Sequence, residues 1–238
     1  MSQKLTDQSH EEHPLRDEAA QARAVARHRW MAAAEGRLLK IDDEFSRAFD
    51  WLEKYPLTVT FFGSARLPQD HPASVLAHDA AYWLSKAGYA IVTGGGGGIM
   101  EAANHGAHDA GGGSVGLNIQ LPMEQALNPY LTDNYGFDHF FARKVLLTIG
   151  SQAYVFGAGG FGTLDELFEI VTLAQTGKLP KAPIILMGDK FWKPLDKYIR
   201  QVLLAEFETI SPGDLDLYHI TEDLDEITQI IQTHTATA

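Results

Sequence analysis

Hydrophobic and polar positions along this chain fall into two regimes. Up to about residue 20 the chain is polar and poorly patterned, which predicts a mobile tail over residues 1–20. Residues 21–54 are rich in Ala, Arg, Leu and Glu, and Phe45, Phe49 and Leu52 recur at helical spacing. That spacing predicts an N-terminal helical extension with a modest apolar stripe. Arg23, Arg27, His28 and Arg29 within it read as a solvated basic face. From Leu57 onward short apolar runs alternate with amphipathic stretches. The runs 57–62, 89–93, 114–119, 152–156, 183–187 and 217–220 predict strands, and 73–86, 98–110, 141–150, 163–176, 191–206 and 222–232 predict helices. Such alternation builds parallel βαβ units, so the expected fold is α/β: a three-layer, doubly wound, mainly parallel Rossmann-like sheet. Right-handed crossovers then gather every strand C-terminus along one edge. Residues 120–135, with Pro122, Asn128 and Pro129, interrupt the alternation and predict a loop over that edge.

The composition narrows the functional classes. Of 238 residues, 45% are hydrophobic and 21% charged, an ordinary balance for one large α/β domain. A net charge of -12 disfavours nucleic acid and anionic membranes as partners. The absence of cysteine removes disulfides and thiolate chemistry, and fits a cytoplasmic location. Acidic residues Asp7, Glu11, Glu12, Asp17 and Glu18 argue against a signal peptide, and no apolar stretch reaches membrane-spanning length.

Three small-residue loops follow predicted strands: Gly63-Ser64-Ala65-Arg66, Thr93 to Glu101 with five consecutive glycines, and Ala158 to Glu166. With sequential strand order 3-2-1-4-5, the first and third flank the switch-point crevice and the second lies beside them. The run Gly159-Gly160-Phe161-Gly162-Thr163 leads from a strand into a helix, which makes an anion site. Glu166, one turn into that helix, would be repelled by a bound phosphate, so it addresses a neighbouring, non-phosphate part of the ligand. Gly157 to Gly162 also matches G-x-G-x-x-G. The match follows the fourth predicted strand rather than the first, and Asp189 lies past a glycine, so it reads as a coincidence of fold. Arg143-Lys144 opens a helix against the macrodipole. Either a salt bridge to a neighbouring acidic residue or an anion contact accounts for it. His105 and His108 share a helix and read as exposed rather than metal-binding. Met123, Trp83 and Trp192 read as core or cover residues.

At these residues the chain resembles the LONELY GUY (LOG) family of nucleoside 5′-monophosphate phosphoribohydrolases, formerly called lysine decarboxylase-like. Ala158 to Glu166 is similar to the family motif PGGxGTxxE, and Arg143-Lys144 lies fifteen residues before it, as the family pattern has it. Gly94 to Glu101 is similar to GGGPGIME, and Phe62-Gly63-Ser64 to the first-strand turn. Two family prolines are replaced, by Ala158 and Gly97, which loosens the backbone without removing a reacting side chain. The resemblance runs from about Leu57 to Ile231 and marks residues 55–238 as the Rossmann-like LOG domain.

The resemblance implies hydrolysis of the N-glycosidic bond of AMP or an N6-modified AMP such as a cytokinin riboside monophosphate. The products would be free base and ribose 5-phosphate. A carboxylate can stabilise the oxocarbenium-like state and orient water, which fits Glu166. Arg143 would hold the ligand and favour departure of the base. Gly159, Gly160, Gly162 and Thr163 would hold the phosphate. Ser64, Gly95, Gly96, Gly98, Met100, Glu101 and Lys144 are the further substrate-binding candidates. Neither a metal nor another cofactor is implied, and a homodimer is. The alternative is a nucleotide-binding sensor or carrier of the same fold. Amino-acid decarboxylation fits poorly, because nothing in the sequence pairs a Schiff-base lysine with a phosphate cup and a pyridinium partner.

Overall fold

The structure is a computed structural model that describes residues 14–120 and 126–237. The chain divides into two units, Met1–Phe45 and Ser46–Ala238. Helix α1, Pro14–Leu52, crosses that division. The helix starts earlier than the polar composition implies, so residues 14–20 are helical rather than tail. Pro14 suits a helix start, where its missing N–H has no intrahelical partner to lose. Residues 1–13 of the expected tail lie outside the described residues. In the second unit, Ala48 and Trp51 are the buried residues of α1, while Phe49 of the expected stripe is exposed.

The second unit is a seven-stranded sheet ordered β4-β3-β2-β1-β5-β6-β7, with all six pairings parallel. The strands are β1 Thr58–Phe62, β2 Ala90–Thr93, β3 Ser114–Ile119, β4 Asp133–Phe137, β5 Ala153–Phe156, β6 Ile184–Met187 and β7 His219–Thr221. Between them lie α2 Pro72–Lys86, α3 Ile99–Asp109, α4 Phe140–Ile149, α5 Phe161–Gln175 and α6 Asp189–Tyr198, and α7 Leu224–Thr237 follows β7. The central order β3-β2-β1-β5-β6 is the one the alternation implies, and it makes the β1–β5 boundary the switch point.

β4 was hidden in the sequence. Its residues Asp133-Asn134-Tyr135-Gly136-Phe137 include three poor strand formers. Pairing with β3, from Val115↔Asp133 to Ile119↔Phe137, supplies the order that propensity does not. The expected loop is therefore confined to the residues before Asp133, and 121–125, Met123 among them, lie outside the described residues. The single helix expected over 191–206 is instead α6, with Pro194 inside it, followed by a π-helical segment Ile199–Glu206.

Core packing follows from strands buried on both faces. Val59, Phe61, Ile91, Val155, Ile185 and Met187 face a cluster with Ala77, Ala81 and Leu84 of α2, Ala103 and Ala107 of α3, and Ile227 and Ile231 of α7. Phe62 and Phe156 turn to the opposite face and stack with centroids 4.7 Å apart. Trp192 is fully buried there, and its Nε1–H donates to the Phe156 carbonyl at 3.0 Å. Trp83, by contrast, is half exposed.

Candidate active site

The loops after β1, β2 and β5 are bonded to one another at the sheet's C-terminal edge. Ser64 N–H donates to the Ala158 carbonyl at 2.9 Å, and the Ser64 carbonyl accepts from Ile99 N–H at 2.9 Å. Gly157 N–H donates to the Phe62 carbonyl at 2.9 Å. Ser64 is thus the strut between the other two loops. This close approach explains two glycines. Gly98 has φ of +65°, and a Cβ there would land on the Ser64 carbonyl. A Cβ on Gly63 would land inside the Ile99 side chain.

A buried polar network holds the β2 loop. Thr93 Oγ1 donates to Asn104 Oδ1 at 2.6 Å and accepts from Gly95 N–H at 2.9 Å. Asn128 Nδ2 donates to Asn104 Oδ1 at 2.9 Å and to the Gly96 carbonyl at 3.1 Å. Asn104 Nδ2 in turn donates to Ser114 Oγ at 3.0 Å. All four side chains are buried, so each bond has little competition from water. Sequence reasoning overlooked this set. The available signal was Asn104, a polar residue between Ala103 and Ala107 on the apolar face of α3.

The α5 N-terminus has the form of an anion cup. Gly160 caps it with no side-chain hydrogen bond, so the first-turn N–H groups keep their outward direction. A Cβ on Gly159 would strike Thr163 Oγ1, whereas Gly160 and Gly162 have open space around them. The chain itself therefore does not require glycine at 160 and 162; a closely approaching ligand would. Next to this cup lies a cavity of about 860 Å³, lined in part by Ser64, Ala158, Gly159, Gly160, His71 and Lys190. That is enough room for a nucleotide-sized ligand. Lys190 is a cation that sequence reasoning did not bring to the cup.

Arg143 and Glu166 lie outside that cavity's lining. Arg143 Nε donates to the Leu117 carbonyl at 2.6 Å, and its guanidinium packs so closely on Gly94 that a Cβ there would overlap Nη2. Met100 packs beneath Gly94 and Gly96, and Glu101 reaches beneath Gly97. Glu166 sits with Phe62, Leu147 and Thr148. Burial pushes its carboxyl up from 4.5 to about 7, although Arg143 and Lys144 pull it down. Burial likewise lowers the Arg143 pKa, and Glu166 opposes that shift. Glu166 is half-buried at the core's margin.

The Arg143-Lys144 pair divides its two expected roles. Lys144 Nζ contacts Asp165 Oδ2 at 2.8 Å and Glu169 Oε2 at 2.5 Å, a salt bridge to α5. Arg143 alone turns to the glycine loop. On α5 the buried face is Thr163, Leu167 and Ile170. Phe168 is half exposed, and Phe161 is 93% exposed. An apolar surface therefore lies directly beside the anion cup.

Comparison with known proteins identifies the family. The sequence model of a family described as "Possible lysine decarboxylase" matches residues 100–231, more than half of the chain. A cytokinin riboside 5′-monophosphate phosphoribohydrolase from Rhodococcoides fascians is 25% identical over 71% of this chain and 86% of its own length. The rice cytokinin riboside 5′-monophosphate phosphoribohydrolase LOG is 33% identical over 54% of this chain, which spans only 56% of that relative. The X-ray structure of a Northeast Structural Genomics Consortium target matches with TM-score 0.56 and 28% identity, over 74% of this chain and 99% of its own. A molybdenum cofactor carrier protein from Chlamydomonas reinhardtii, 22% identical with TM-score 0.53 over 76% of this chain and 98% of its own, shares the fold. With its matching sequence model, its named relatives and its glycine-loop architecture, this chain belongs to the LONELY GUY family.

Proposed function

We propose that this protein hydrolyses the N-glycosidic bond of a nucleoside 5′-monophosphate, AMP or an N6-modified AMP, giving free base and ribose 5-phosphate. One observation carries the reading. An uncapped helix N-terminus with two sterically unneeded glycines lies one turn from a half-buried carboxylate that interacts with an arginine. The N–H groups of Gly162 and Thr163, with the open faces of Gly160 and Gly162, receive the 5′-phosphate. That fixes the ribose toward Glu166. Breaking the C1′–N bond moves its electron pair to the base and leaves an oxocarbenium-like ribose. Ionised Glu166 stabilises that positive charge and orients the attacking water, taking its proton as the new C1′–O bond forms. Arg143 faces the leaving base and stabilises the electron pair it carries away, and the proton that Glu166 takes from water passes to the base nitrogen, which leaves Glu166 ionised again. Ser64, Gly95, Gly96, Gly98, Met100 and Glu101 form the walls around ribose and base. Lys144 acts on α5 through its salt bridges, holding Glu166's helix in place.

The apolar surface formed by Phe161, Leu164 and Phe168 supports a homodimer in which a second copy closes the site. The cavity on the Lys190 side favours one rival reading, a nucleotide carrier or sensor, because its lining omits both Arg143 and Glu166. Incubation with AMP and with isopentenyl-AMP, followed by chromatography, separates them: base release supports the hydrolase, and tight binding without release supports the carrier.

A further inference from the structure

Helices α2 and α3 cross behind the glycine loop at a point where two histidines and a carboxylate converge. A Cβ on Gly106 of α3 would collide with the His78 carbonyl of α2, so only glycine permits the approach. That contact brings His78 Nε2 and His105 Nε2 each to 3.4 Å from Asp109 Oδ2. One ligand atom from each of the three side chains lies within 4.8 Å of the other two. We propose that His78, His105 and Asp109 form a binding site for a late first-row divalent transition ion such as Zn²⁺.

The distances suit co-ligands: His78 Nε2 to Asp109 Oδ2, at 3.4 Å, is a long hydrogen bond. An N–H···O bond is about 2.7–3.2 Å long. Two ligands held about 2.0–2.1 Å from a tetrahedral Zn²⁺ are about 3.3 Å apart. The ring orientations agree. His78 Nδ1 lies 2.9 Å from Asp79 Oδ1. A proton on Nδ1 donated to that carboxylate leaves Nε2 with the lone pair a metal needs, the carboxylate–histidine arrangement of metal sites. His105 is held flat against Tyr130, with ring centroids 3.8 Å apart. Two imidazoles and one carboxylate suit Zn²⁺, Co²⁺ or Ni²⁺ better than Mg²⁺ or Ca²⁺. Asp109 remains 45% exposed, so water can reach the cluster.

An ion there would pin α2 to α3 and fix the Tyr130 ring. Tyr130 N–H is bonded to Asn128 Oδ1, and Asn128 braces Gly95 and Gly96. The site would therefore stiffen the β2 loop from behind, independently of what that loop binds.

The test titrates the full chain, freed of metal by a chelator, with Zn²⁺ by calorimetry and with Co²⁺ by visible absorption. A His10→Ala/His13→Ala background removes a competing histidine pair. The expected result is one Zn²⁺ per chain in that background, with a raised Tm and a d–d spectrum on Co²⁺ loading. His105→Ala and Asp109→Asn should each weaken binding more than about tenfold, and Asp79→Asn by about tenfold. Circular dichroism checks that each variant is folded, and His105→Gln replaces any alanine variant that is not. Failure of the background protein to bind Zn²⁺, or binding that is unchanged in the folded His105 and Asp109 variants, overturns the assignment.

Discussion

Replacing Glu166 by Gln should stabilise the protein above neutral pH while abolishing turnover. The sign follows from the raised carboxyl. Its pKa goes from 4.5 to about 7 on folding, so the folded state binds the proton more tightly than the unfolded chain. Stability from this group is complete below pH 4.5, falls as pH rises, and is lost above about 7. At about 1.4 kcal/mol per pH unit, the penalty of holding Glu166 ionised is about 3 kcal/mol as an order of magnitude. Glutamine keeps the shape and never ionises. The attraction of Arg143 is already contained in the net shift, so its loss does not reverse the sign. Urea unfolding at pH 4.5 and pH 8 is the assay. Wild type should lose stability between the two relative to Glu166→Gln, and the variant should be the more stable protein at pH 8. Parallel pH profiles, or a variant less stable at pH 8, would refute the reasoning that burial dominates this carboxyl. A carboxyl raised toward neutrality beside an arginine is also a reason to connect the group with chemistry.

Four further outcomes follow from the same geometry. Activity should rise with pH through about 7, as Glu166 becomes the ionised group that stabilises the ribose cation, measured as kcat/KM against pH. Gly94→Ala should expel the Arg143 guanidinium and lower kcat/KM by about 100-fold with little change in unfolding midpoint. Asn104→Ala should destabilise the fold by about 1–3 kcal/mol in urea unfolding, because Thr93, Ser114 and Asn128 lose a buried partner. Gly97→Ala should raise stability by about 0.4–1 kcal/mol, since its Cβ meets only ordinary contacts, whereas Gly98→Ala should destabilise by more than that, being both strained and obstructed.

Much of this architecture is legible in the sequence because the strands are buried on both faces and so appear as continuous apolar runs. Thr58–Phe62 and Ile184–Met187 are cases of this kind. β4 is not legible, because an edge strand containing Asp133, Asn134 and Gly136 draws its order from β3 and not from its own residues. The glycine loops stand out for a related reason: a run of residues with high conformational entropy needs a structural cause. Their individual roles do not stand out. Gly94 gives way to Arg143 and Gly98 to the Ser64 carbonyl, contacts between segments far apart in the chain. Lys144 illustrates the same limit, since its partners Asp165 and Glu169 lie on another helix. On α5, Phe161 and Phe168 are hydrophobic without being part of this chain's core.

The central claim is that the cup at Gly159–Thr163 and the Arg143–Glu166 pair act on one bound nucleotide. Its most direct test is single-turnover incubation of AMP and isopentenyl-AMP with wild type and with Glu166→Gln. Free base and ribose 5-phosphate should appear in equal amounts with wild type. Glu166→Gln should bind nucleotide at least as tightly, because it lacks a negative charge near the phosphate, and release no base. Nucleotide binding by wild type without any base release, or full turnover by Glu166→Gln, would contradict the account.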